Sequence, residues 1–158
     1  MAEIILGLMG GLGLFLYGMR LMSDSLEKAA GAKMRSILEF FTKTPLRGIL
    51  VGTFFTAIIQ SSSAATVMAV SFVNSGLMNL YQAAGVIMGA NIGTTITSQL
   101  IAFNLSELAP VIIMAGIIML MFSRKIRVQR AGEVLVGFGI LFMGLTSLSS
   151  AMSVLKES

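Results

Sequence analysis

Six stretches of this chain, at 4–22, 48–59, 64–73, 77–90, 108–122 and 134–148, contain no Asp, Glu, Lys or Arg apart from Arg20. Charge segregated on this scale confines the fold before any motif is read. Inside a bilayer each backbone N–H and C=O must find a partner within the protein, so runs of this kind are built as helices. Composition agrees: 56% of the residues are hydrophobic and 11% are charged, where soluble domains carry about a quarter charged residues. Glu3, rather than a basic stretch, precedes the first run, which argues against a cleavable signal peptide. The class is an all-α integral membrane protein.

The remaining charges mark topology. Arg20, Lys28, Lys33, Arg35, Lys43 and Arg47 fall in one segment flanking the apolar runs, and Arg124, Lys125, Arg127 and Arg130 in another. Clusters of this kind stay on the cytoplasmic side. The net charge of +4 is thus explained without nucleic acid. A multi-pass protein of the plasma (inner) membrane is expected, with the lipid bilayer as its first partner.

What is missing narrows the chemistry. There is no Cys, no His and a single Asp, Asp24, so disulfides, thiol nucleophiles and His-based metal sites are unavailable. An intramembrane serine hydrolase needs a base such as His or Lys beside its serine, and every Lys lies in a juxtamembrane loop or tail. No enzyme activity and no cofactor are expected.

The runs suggest a layout. Residues 3–22 suffice to cross the ~30 Å hydrocarbon layer. Residues 24–43 repeat Leu26, Ala30, Met34, Ile37 and Phe41 at helical spacing among basic residues, the pattern of an amphipathic helix lying on the membrane surface. Asp24 and Glu27 have the spacing of a capping box at its start, and Pro45 ends the pattern. Residues 46–76 divide at Gln60 into two pieces too short to cross, which suits a hairpin that enters the bilayer and returns. Residues 79–103 read as a helix broken at 91–93, and residues 107–122 as another span, giving about four spanning segments in all. Keeping both basic clusters on one side requires an even number of crossings between them. That count is also met if 46–76 crosses and 79–103 re-enters; segment length favours a re-entrant 46–76.

A shift of 126 residues lays 11–26 over 137–152, matching Gly11, Gly13, Gly18 and Ser23 to Gly137, Gly139, Gly144 and Ser149. Residues 1–130 then form one repeat, and 131–158 the first helix of a second, inverted one. Inverted repeats of this kind are the architecture of many secondary transporters.

The hydroxyls and amides at "QSSSAATVMAV" sit in the most apolar part of the chain. Polar groups at that depth persist only within protein or along a wet cavity. A hairpin tip presents carbonyls and a negative dipole end on one side, suited to a cation, and N–H groups with a positive end on the other, suited to an anion. Gln60, Ser61, Ser62, Ser63 and Thr66 add neutral donors and acceptors. At "GANIGTT" the device recurs with Asn91, Thr94 and Thr95, while Gly85, Gly89 and Gly93 form a small-residue face for close helix approach. The bland alternative for each hydroxyl is a bond back to a carbonyl of its own helix.

The QSSS stretch and the GANIGTT stretch together closely resemble the first repeat of the type II sodium/phosphate cotransporter family, bacterial members especially, over roughly 4–150. The resemblance implies sodium-coupled phosphate transport, with sodium and phosphate bound where two QSSS hairpins face one another. By position it implies that Gln60, Ser61, Ser62, Ser63, Asn91, Thr94 and Thr95 contact the ions, with sodium near Gln60, Ser61, Asn91 and Thr94. A second QSSS hairpin is absent here. The site then needs a second repeat of a longer transporter, or an inverted copy of the chain. A membrane assembly subunit without transport activity of its own is the alternative.

Overall fold

The computed structural model describes residues 2–103 and 105–156. Among them the order is α1 (Ala2–Phe41), α2 (Pro45–Ile59), α3 (Ser62–Asn74), α4 (Leu80–Ala102), a short 3-10 turn (Leu105–Leu108), α5 (Ala109–Phe122) and α6 (Ile126–Lys156). Large apolar side chains such as Leu6, Phe54, Val67, Met121 and Phe122 are exposed along the helices, a distribution that suits a lipid surround. This is the expected all-α membrane class. Among the described residues three helices are long and apolar enough to cross a bilayer, at Ala2–Ala29, Leu105–Phe122 and Ile126–Leu155.

Two expectations are corrected. No junction separates a spanning helix 3–22 from an interfacial helix 24–43, because α1 runs unbroken through both. Residues 19–27 contain no Gly or Pro to stop the i→i−4 ladder. Asp24 caps nothing there; its carboxylate lies 3.8 Å from the Arg20 guanidinium, one turn earlier. Ala30 and Met34 of the amphipathic stripe lie outside the residues whose side chains are described. Nor is α4 broken at 91–93: it is one helix of 23 residues. Its glycines serve packing instead of a break, as the contacts below show.

The chain divides into two compact units. In the unit formed by Met1–Ser25 with Asn104–Ser158, α1 and α6 run antiparallel and touch backbone to backbone. Gly11 meets Gly144 and Leu148, and Gly137 meets Gly18 and Met22; Gly18 meets Gly137 and Leu141, and Gly144 meets Gly11 and Phe15. Each contact becomes its counterpart under the same shift of 126 residues that aligned the sequence. The end pairs obey it too. Gly7 lies against Ala151, and at the equivalent positions the Ser25 hydroxyl donates to the Glu133 carboxylate at 3.0 Å. On its other side α6 carries α5, with Gly139 against Ile113 and Ala109, and Val136 against Gly116. The equivalent positions on α1, Gly13 and Gly10, are exposed, with nothing within 4 Å of where a Cβ would stand.

In the unit Leu26–Phe103, Thr44 caps α2 by accepting the Arg47 N–H at 3.4 Å, and Pro45 takes the first turn, where its missing N–H is harmless. Asn79 and Gln82 start α4 by exchanging side-chain bonds with each other's backbone N–H groups at 2.9 and 2.8 Å, a reciprocal cap. α2 and α3 rest chiefly on α4 rather than on each other. Leu38, Phe55, Ile59, Ala69, Phe72 and Val86 are buried between them. Along the α2–α4 seam Gly48 and Gly52 face Gln82 and Val86, while Gly85, Gly89 and Gly93 face the backbone of Pro45, Ile49 and Thr53.

These contacts set the cost of a methyl group. Gly89→Ala puts a Cβ into the Ile49 carbonyl and is expected to destabilise the protein by about 1–3 kcal/mol, the range for overpacking a tight contact. Gly10→Ala, in open space, is expected to leave the midpoint unchanged or slightly raised; unfolding in detergent measures both. Gly18→Ala and Gly144→Ala are expected to lose similar stability to one another, because they meet equivalent backbone.

Candidate functional site

The α2–α3 turn is two residues deep. Gln60 ends α2 at φ 59°, ψ 26°, and among the described residues it is the only one other than glycine with positive φ. Its backbone N–H donates to the Thr56 carbonyl at 2.7 Å, the closure that ends many helices, though glycine usually occupies this position. A side chain there costs roughly 1–2 kcal/mol. Keeping glutamine in a place suited to glycine points to a use for its amide, since strain of this kind gathers at functional sites. The amide nitrogen folds back and donates to the Ala57 carbonyl.

Ser61 then opens α3 in an extended conformation, its hydroxyl accepting the Ala64 N–H at 3.2 Å. Helix geometry leaves the N–H groups of Ser62 and Ser63 with no intrahelical acceptor. Gln60, Ser61 and Ser62 are half-buried and Ser63 is exposed. The carbonyl end of one helix and the N–H end of the next therefore meet at one turn, each carrying about half an elementary charge of opposite sign. No charged residue occurs from 48 to 106, so the two helices that form the turn bring dipole ends to it and no formal charge.

The remaining candidates are placed differently. The Thr66 hydroxyl donates to the Ser62 carbonyl at 2.9 Å, Thr94 to Ala90 at 3.0 Å and Thr95 to Ile92 at 2.7 Å. Each is anchored to its own helix, with its oxygen still able to accept. Gly93 is the part of the second motif that reaches the first: it lies against Thr53, Thr56 and Ala57 in the last turns of α2. Asn91 and Thr95 are exposed, and the unbroken helix turns them about 200° from Gly93, away from α2. The structure thus gathers Gln60, Ser61, Ser62, Ser63 and Gly93, and leaves Asn91 and Thr95 on another face.

Sequence reading passed over Thr56. It is fully buried, and its hydroxyl has no hydrogen-bond partner. Its only signal was a polar residue one turn before Gln60 in "FFTAII".

Residues 14–150, which include both motifs, match the family described as Na+/Pi-cotransporter. YjbB of Escherichia coli (strain K12), whose name points to inorganic phosphate export, is 27% identical over 98% of this chain and 28% of its own length. The uncharacterized protein YqeW of Bacillus subtilis (strain 168) is 31% identical over 90% of this chain and 47% of its own. Sodium-dependent phosphate transport protein 2A of Rattus norvegicus is 35% identical over 60% of this chain and 15% of its own. The chain spans less than half the length of each of these relatives. No solved structure matches it. With a match that runs through the capped turn and the glycine face that supports it, this chain belongs to the Na+/Pi-cotransporter family.

Proposed function

We propose that this chain is one half of a sodium-coupled phosphate carrier of the plasma (inner) membrane, and that its ions bind at the turn formed by Gln60, Ser61, Ser62 and Ser63. The observation that carries the reading is the meeting of two helix ends at a strained, uncharged turn. Phosphate belongs at the start of α3, where helix geometry leaves the Ser62 and Ser63 N–H groups without intrahelical acceptors. Sodium belongs on the carbonyl side, near Gln60 and Ser61, with the Thr66 and Thr94 oxygens as supporting acceptors; Asn91 and Thr95, which α4 turns away from α2, stay outside this shell. Opposite unit charges about 4 Å apart attract by about 4 kcal/mol at an effective dielectric of 20. Each ion therefore raises the affinity for the other, equally in both directions, which is the basis of symport.

Lengths support re-entry. α2 has 15 residues and α3 has 13, or about 22 and 20 Å, against a hydrocarbon layer of about 30 Å. The half-unit reading rests on the symmetry of α1 and α6. The face of α6 that carries α5 has its equivalent on α1 at Gly10 and Gly13, and that face is open. A second half, from a longer chain or an inverted copy, brings its own terminal helix there and a second turn to close the site. The back-bonded hydroxyls of Thr66, Thr94 and Thr95 favour the other reading, a structural subunit that packs through this motif.

One measurement separates these readings and a second tests the re-entrant geometry. Gln60→Gly keeps the left-handed turn, relieves its strain and removes the amide, so it is expected to raise thermal stability while lowering sodium-dependent phosphate uptake by about 10-fold or more, on the scale of ~1.4 kcal/mol per decade. Uptake at the wild-type rate from a well-expressed Gln60→Gly carrier removes the amide from transport. The chain has no Cys, so Leu50→Cys and Asn74→Cys are unique labels for an impermeant maleimide. Both are expected to react from the same side of the membrane; reaction from opposite sides means that 46–76 crosses.

A further inference from the structure

Thr56 is the only residue among those described with a buried side-chain polar atom lacking a hydrogen-bond partner. The chain shows how it treats other helical threonines. Thr53, Thr66, Thr94 and Thr146 each donate to the carbonyl four residues back, at 2.8, 2.9, 3.0 and 2.9 Å. Thr56 has the same option in the Gly52 carbonyl and does not take it. A buried hydroxyl left in this way destabilises the fold, and such groups call for an ion, a water or a functional role.

Its position suggests which. Thr56 stands in the last turn of α2; its carbonyl receives the Gln60 N–H at 2.7 Å, and its Cβ lies against Gly93. Of the three atoms nearest to Gly93 it supplies the one that belongs to a side chain, one turn before the first motif. A helix C-terminus favours positive charge, and a hydroxyl oxygen offers two lone pairs. An anion would seek the N–H end of α3 instead.

We infer that the Thr56 hydroxyl is a ligand for the sodium ion, buried one turn beneath Gln60 and reached past that turn. The inference rests on the sodium-coupled reading above and adds a ligand to it. It explains why a threonine is retained where valine, of the same shape and without an unsatisfied hydroxyl, would give a more stable helix pair.

The two roles predict opposite signs. The protein is purified in detergent in the assembly it adopts in membranes, and thermal unfolding is followed as NaCl replaces choline chloride at constant ionic strength. Thr56→Val is expected to melt at or above the wild-type temperature without sodium, and to need at least 10-fold more sodium for its half-maximal rise. Thr56→Ser keeps the oxygen and is expected to keep the wild-type sodium midpoint. Thr56→Ala, with the same expected loss, replaces the valine variant should that fail to fold. A hydroxyl-free variant with the wild-type sodium midpoint overturns the inference while leaving the sodium-coupled reading in place. A wild-type protein that shows no sodium-dependent rise removes that reading, and this ligand with it.

Discussion

Helices in lipid gain nothing by hiding apolar side chains from water, so what holds α2 on α4 is the closeness their glycines allow. Gly48 and Gly52 on one helix, with Gly85, Gly89 and Gly93 on the other, bring main chain against main chain. Everything at the candidate site follows from that seam. It fixes where α2 ends, lays Gly93 against the turn before Gln60, and gives α3 the same helix to rest on. A single added methyl along it meets backbone, which cannot move aside as a side chain can.

On this support the chain builds a site from neutral parts. The α2 carbonyl end and the α3 N–H end are brought to one turn by Gln60, held in a conformation that glycine adopts at far lower cost. A formal charge at membrane depth would need a permanent partner. Helix ends and hydroxyls provide fields without any formal charge. Most of the hydroxyls are anchored to carbonyls of their own helices, which fixes their oxygens and leaves them satisfied.

The other unit shows the same close packing used for symmetry. α1 and α6 meet through glycines whose contacts exchange under the 126-residue shift, down to the serine and carboxylate that replace alanine and glycine at one end. Contacts that exchange in this way are what an antiparallel pair of helices with matching glycine positions produces. Where the two differ, at the α5-bearing face, the difference marks a surface on α1 that this chain leaves open.

Much was legible in the residues themselves. Charge-free runs compelled helices in lipid, since no other local structure satisfies the backbone there. The motifs at Gln60 and Asn91, the glycine faces and the 126-residue shift were visible because each is a short-range pattern. Three features were decided only by the tertiary structure. Whether 91–93 breaks a helix depends on what the flanking glycines touch, and here they touch α2, so the ladder runs on. Whether α1 divides after Met22 could not be read from Asp24 and Glu27, because cap spacing is equally an interior pair once the ladder passes through. The isolation of the Thr56 hydroxyl is a fact about the neighbours that bury it, and no run of letters lists the neighbours that folding supplies.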